Sequence, residues 1–223
     1  MEARYIRNLG AITEEDCLIL RQKSVLVVGC GGLGGYLMEY LARIGIGKIR
    51  CVDGDVFDES NLNRQILATT HTIGKPKALE AQARLNAINP NMVVEPVCAF
   101  LDESNAKELI QGCDIVLDAL DNIPSRKLLA DACAEVGVPY VFGAISGWVA
   151  QAGICMPGDK MIHALYPDGI EIRDKSVLSF TPAMCAAMQI SLCVSLLIGH
   201  PVETGKLHYF DLFCEEYEHI YFK

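Results

Sequence analysis

A chain of 223 residues that is 51% hydrophobic can bury a substantial core, and one domain over residues 1–223 is the simplest division. Its net charge of −9 leaves no basic surplus for a nucleic-acid backbone, which argues against a general nucleic-acid binder but not against one local basic pocket for a triphosphate. The start, MEARYIRNLG, lacks the apolar core of a signal peptide, so a cytoplasmic protein is expected.

Ten cysteines, at positions 17, 30, 51, 98, 113, 133, 155, 185, 193 and 214, include no Cys-x-x-Cys pair. Several sit in apolar runs, where cysteine serves as a small hydrophobe. The five histidines, at 71, 163, 200, 208 and 219, show no ligand spacing with each other or with cysteines. Neither disulfides nor a thiolate–imidazole metal site is expected.

Taken in chain order, residues 1–23 form an arm with Arg4 and Arg7, then a helix over 13–22 whose Thr13 and Asp16 resemble a capping pair. Residues 24–28, SVLVV, read as a buried parallel strand because they are apolar without alternation. Gly29-x-Gly31-x-x-Gly34 follows between that strand and a helix over 36–43. Such glycines permit a tight turn, close approach of backbone to phosphate, and packing of helix on strand. The helix N-terminus would then face the phosphates. A second strand, 48–52, ends at Asp53, 24 residues after Gly29, where an acid can accept ribose hydroxyls.

The next stretch, GDVFDESNLNRQILATTHTIGKPK, is too long for an ordinary strand-to-helix connection. It gathers Asp55, Asn61, Asn63, Arg64, Gln65, Lys75 and Lys77, the amides and cations suited to phosphate contacts. A dehydrogenase holding a pyrophosphate has no evident need of this loop, whereas a site that neutralises a triphosphate does. Further on come a helix over 76–88, a strand over 93–97, a helix over 103–110 and a buried strand over 115–117. That strand leads into DALDN, which puts Asp118 and Asp121 at a strand's carboxyl end, where a carboxylate can hold Mg²⁺. A helix over 124–136 and a strand over 139–144 continue the alternation.

Beyond that point the pattern changes. Residues 148–156 form a strand with no helix before it, so it can run antiparallel. Residues 157–181 show neither period and read as a long surface loop. Residues 182–198 form an apolar helix, too short and interrupted for a membrane span, and strands over 206–211 and 217–222 close the sheet as an antiparallel pair. The expected fold is a Rossmann-like α/β protein with a mostly parallel sheet, antiparallel C-terminal strands and helices on both faces.

SNLNRQ taken together with GCGGLG, VDGD, IGKPK, INP, DALDN and FTPA resembles the ubiquitin-activating-enzyme superfamily, closest to its MoeB/ThiF/HesA type. The resemblance implies a homodimer that binds ATP and Mg²⁺ and adenylates the Gly-Gly tail of a small ubiquitin-like carrier. It implies that Gly31, Gly32 and Gly34 belong to the nucleotide loop and that Asp53 takes the ribose. Asn61, Arg64 and Lys77 would contact phosphates, with Asp55, Gln65 and Asn122 beside them, and Asp121 would hold Mg²⁺. It also implies that Arg7 is supplied across the dimer. Two features depart from many relatives. The paired Cys-x-x-Cys of a zinc site is missing, so no zinc is expected, and residues 157–181 hold no cysteine to form a thioester or persulfide. A related tRNA dehydratase, an NAD-dependent oxidoreductase and a non-catalytic docking protein are the alternative readings.

Overall fold

The computed structural model describes residues 2–171 and 176–222. Ser24–Val28 (β1) is buried along its whole length. Its side chains divide between two cores: Val25 and Val27 join one apolar cluster, Leu26 and Val28 another. That division explains the uninterrupted apolar run, because period-two side chains face two cores and both must be apolar.

An eight-stranded sheet is built outward from β1 in the order β3-β2-β1-β4-β5-β6-β7-β8. Its strands are Lys48–Val52 (β2), Val93–Val97 (β3), Ile115–Asp118 (β4), Tyr140–Ser146 (β5), Val149–Cys155 (β6), Lys206–Asp211 (β7) and Glu216–Tyr221 (β8). The first five are parallel, and β6, β7 and β8 are each antiparallel to their predecessor, as the missing helix before β6 led one to expect. Strand order reverses between β1 and β4, which opens a crevice at their carboxyl ends.

Glu14–Arg21 (α1), Gly32–Ile44 (α2), Lys77–Ile88 (α3) and Thr181–Leu197 (α7) supply buried residues to the first core. Ala106–Ile110 (α4), Ile123–Val136 (α5) and Met161–Leu165 (α6) supply the second. Helices therefore cover both faces. The capping pair at α1 is present in both directions, with Asp16 N–H donating to Thr13 Oγ1 at 3.1 Å and Thr13 N–H to Asp16 Oδ2 at 2.8 Å. The apolar α7 packs in the first core through Ala186, Ile190 and Cys193. No helix among the described residues is long and apolar enough to cross a membrane.

Three expectations need correction. Helix α2 begins at Gly32 rather than at 36, so Gly32, Gly34 and Gly35 are helical and only residues 29–31 make the turn. Low helix propensity masked this start, and tertiary packing overrides it. Helix α4 begins at Ala106 rather than at 103, because Asp102 Oδ1 accepts from Ser104 and Asn105 N–H and holds a separate turn there. The 157–181 segment is not all loop, since α6 lies within it with Met161 and Ile162 buried; residues 172–175 of that segment lie outside those described.

Candidate functional site

A cleft of about 350 Å³ lies at the carboxyl ends of β1, β2 and β4. Its floor is the turn after β1. Gly29 has φ +99°, and a Cβ there would sit 2.5 Å from the Ala119 carbonyl oxygen. A Cβ at Gly34 would sit 1.8 Å from the Gly29 carbonyl oxygen, so Gly34 serves the contact of helix on turn and does not line the cleft. Gly31 is the N-cap of α2 and offers no side chain to its first amides, so those N–H groups are left for a ligand at the positive end of the helix.

Asp53, at the end of β2, accepts the Cys30 N–H on one carboxylate oxygen at 2.7 Å and the Asp55 N–H on the other at 2.8 Å. Both bonds fix its orientation at the rim. The connection after it is a packed structure. Phe57 is buried, bridges join residue 56 to 76 and residue 57 to 73, and Asn61 Oδ1 accepts from Asp58 N–H at 3.1 Å. Asn61 is thereby buried in this turn and does not line the cleft.

What the connection delivers is Arg64, Gln65 and Lys77. Arg64 donates to the Ser60 carbonyl at 2.9 Å and Asn63 Oδ1 at 2.8 Å, both neutral acceptors, so these bonds orient it without neutralising its charge. Lys77, buried, lies 3.1 Å from an Asp55 carboxylate oxygen. Gln65 is buried, and its Oε1 has no hydrogen-bond partner among the described residues. A buried carbonyl oxygen without a partner costs about 1–3 kcal/mol, which makes a ligand or a bound water the economical completion of this site. Lys75 points elsewhere, to Glu80 at 3.5 Å.

Across the cleft stand Asp121 and Asn122, both exposed. Asn122 Oδ1 caps α5 by accepting Ser125 N–H at 2.9 Å. Asp118 does not reach the cleft: it is fully buried, 3.3 Å from Arg126 Nη1, and accepts the Tyr140 hydroxyl at 2.5 Å. Burial pushes its carboxyl up, while Arg126 and the Tyr140 hydroxyl pull it back. Asp53, Asp55 and Asp121 line the cleft together with Arg64 and Lys77. A bare triphosphate would meet three carboxylates and two cations, so the donor set suits a polyphosphate carrying Mg²⁺, which prefers oxygen ligands.

Arg7 lies far from this cleft within the chain. It is exposed on the short 3₁₀ turn Ala3–Asn8, whose Tyr5 packs on Gly45 at the C-terminal end of α2. The cleft is at the other end of that helix, roughly 20 Å away for 13 residues at 1.5 Å each. Sequence reasoning missed Phe100 and Arg126. Phe100 is 66% exposed and stacks its ring on Gly54 at the cleft wall, and nothing in the sequence around it marks it. Arg126 hides in an ordinary helical stretch.

The reversed strand order with a glycine-turn crevice and facing cations defines a Rossmann-type protein built for a phosphate-bearing ligand. Residues 3–222 match the ThiF family, and the chain belongs to it. It is similar to the SAMP-activating enzyme E1 of Haloferax volcanii, 36% identical over 97% of this chain and 84% of that protein. It is also similar to the sulfur carrier protein adenylyltransferase of Thermus thermophilus, 45% identical over 68% of this chain and 56% of that longer protein. Among solved structures, E. coli MccB with ATP superposes with a TM-score of 0.86 at 20% identity, over 99% of this chain and 72% of that one, which shows a shared fold.

Proposed function

We propose that this protein uses ATP and Mg²⁺ to adenylate the C-terminal Gly-Gly carboxylate of a small ubiquitin-like carrier protein, releasing pyrophosphate. One observation carries the reading: Arg64 and Lys77 share a crevice with the N-terminus of α2 and the carboxylates of Asp53, Asp55 and Asp121. The names of the two relatives, a SAMP-activating enzyme and a sulfur carrier protein adenylyltransferase, support the carrier as substrate class.

The tail carboxylate is already ionised near neutral pH, so no base is required. Its oxygen bonds to the α-phosphorus, the bond from that phosphorus to the bridging oxygen breaks, and pyrophosphate leaves with the electron pair. What such a step needs is alignment and stabilisation of spreading negative charge. In this reading the amides that follow Gly31 and Gly32 meet the phosphates, and Asp53 accepts the ribose hydroxyls. Arg64, Gln65 and Lys77 serve the phosphates, with Asn61 holding their loop in register. Asp121, with Asn122 beside it, would hold Mg²⁺, which would supply neutralisation of phosphate charge, while Asp55 stays near Lys77. Arg7 reaches a neighbour's cleft in a cytoplasmic homodimer, and no zinc takes part.

ATP–pyrophosphate exchange tests the proposal. Exchange is expected only with a carrier ending in Gly-Gly and is lost when those two residues are deleted. Arg64→Ala and Lys77→Ala should each lower it about 10²–10³-fold, the loss typical of one preorganised transition-state contact. Exchange with ATP alone, or with no Gly-Gly carrier at all, would overturn the proposal.

A further inference from the structure

Strands β4 and β5 pair only at Val116–Tyr140 and Leu117–Val141 before they part. Polar side chains fill the opening. Gln189 reaches in from α7 and donates its amide to the Asp118 carbonyl at 2.9 Å and the Val141 carbonyl at 3.1 Å. It occupies the space a side chain at Gly143 would need, since a Cβ there would lie 2.2 Å from its carboxamide. Arg126, 3% exposed, donates to the Gly143 carbonyl at 2.7 Å and to the Leu120 carbonyl, beside the Asp118 carboxylate.

These bonds converge on the turn that carries Asp121. The Leu120 N–H donates to Asp118 Oδ1 at 2.8 Å, and the Leu120 carbonyl accepts from Arg126. Asn122 is held on the other side by its cap on α5. Asp121 is thus clamped through both neighbours, while among the described residues its own carboxylate meets only the Asn122 amide, at 3.4 Å. A fully buried ion pair is a poor source of stability, because desolvation offsets its attraction and apolar replacements often do as well. Its yield here is geometric. A planar guanidinium spans the β5 carbonyl of Gly143, the turn carbonyl of Leu120 and a carboxylate from one rigid fork, a spacing that the single nitrogen of an ammonium does not reproduce.

We propose that Arg126 is a positioning residue for the metal carboxylate: working with Asp118, Tyr140 and Gln189, it sets the place of Asp121 through the Leu120 carbonyl. The inference rests on the reading of Asp121 as the Mg²⁺ ligand. It predicts that Arg126→Lys raises the Mg²⁺ concentration needed for half-maximal ATP binding about tenfold, as outer partners of metal ligands do, while ATP affinity at saturating Mg²⁺ changes less than about twofold. The measurement is ATP binding by calorimetry at a series of Mg²⁺ concentrations, with thermal unfolding alongside. A purely structural role would lower the melting temperature without moving the Mg²⁺ midpoint, and that result overturns the proposal. Tyr140→Phe removes one bond to Asp118 and keeps every charge. It should move the midpoint the same way by a smaller factor, and an unmoved midpoint there overturns the proposal should Arg126→Lys fail to fold. Asp121→Asn separates the two levels. No shift in that variant defeats the metal assignment and this inference with it, whereas a shift there and none in Arg126→Lys defeats the positioning role alone.

Discussion

A single methyl group should act oppositely at two glycines in the first turn of α2. At Gly34 it would be driven into the Gly29 carbonyl oxygen, 1.8 Å away, and backbone on both sides leaves no room to yield. At Gly32 its nearest neighbours lie at 3.6 Å, ordinary contact distance. Thermal unfolding should therefore place Gly34→Ala at or beyond ~3 kcal/mol of destabilisation, the upper end of ordinary overpacking. Gly32→Ala should stay within ~1 kcal/mol of the parent, helped by the better helix propensity of alanine. The same scale separates the thiols. Cys185 is fully buried, and burial pushes its thiol up to about 12, while Cys98 and Cys214 are exposed. Iodoacetamide at pH 8 should label Cys98 and Cys214 in the native protein and reach Cys185 only after unfolding, since the thiolate is the reactive form. Rapid native labelling of Cys185 would contradict its place in the first core.

At the scale of elements, α2 is tied to α3 by one carboxylate. Glu39, buried on α2, accepts from Arg84 of α3 at 3.0 Å on each oxygen and from Arg43 of its own helix at 2.5 and 3.0 Å. Burial by itself would raise its carboxyl, but the bonds from Arg84 and Arg43 outweigh it and hold the group below its usual range. A carboxylate with a depressed folded value stabilises above its unfolded value, near 4.3, and that stability is lost as pH falls through the folded value. Glu39→Gln should cost about 1–2 kcal/mol at pH 7, and the difference from the parent should shrink toward zero as urea titrations are repeated below pH 4. The strands and the middles of helices were legible in the sequence, because apolar runs and glycines are local signals. The start of α2 was not, since a helix that opens on glycines is held by packing that no local pattern reports.

For the whole molecule, the position of Arg7 is the decisive feature. The arm that bears it is tied down at the C-terminal end of α2 by Tyr5 on Gly45 and by Arg4, which donates to Asn89 Oδ1 at 3.2 Å and to the Ile88 carbonyl at 3.3 Å. An arginine held there cannot serve the cleft of its own chain, so the part proposed for Arg7 calls for a second copy. If two copies exchange these arms, Arg7→Ala and Arg64→Ala should each be inactive alone. An equimolar mixture refolded together should recover about a quarter of parent activity, because half the dimers are mixed and each has one intact site. Recovery of nothing from dimers shown to be mixed would exclude Arg7 acting across the dimer, and full activity of Arg7→Ala alone would place it outside the site.

By itself the sequence determined the strand at the centre, the glycine turn, the cations after β2 and the acid at the end of β4, because each depends on near neighbours in the chain. Spacing alone left two acids three residues apart equivalent, and where the resemblance pointed to Asp121, tertiary structure supplied the physical difference between them. Asp118 and Asp121 look alike in DALDN, yet one is sealed beneath Arg126 and Tyr140 while the other stands in the cleft. That difference comes from α5, β5 and α7 closing over the gap where β4 and β5 part. A carboxylate's surroundings are set by residues distant in sequence, and no local spacing reports them.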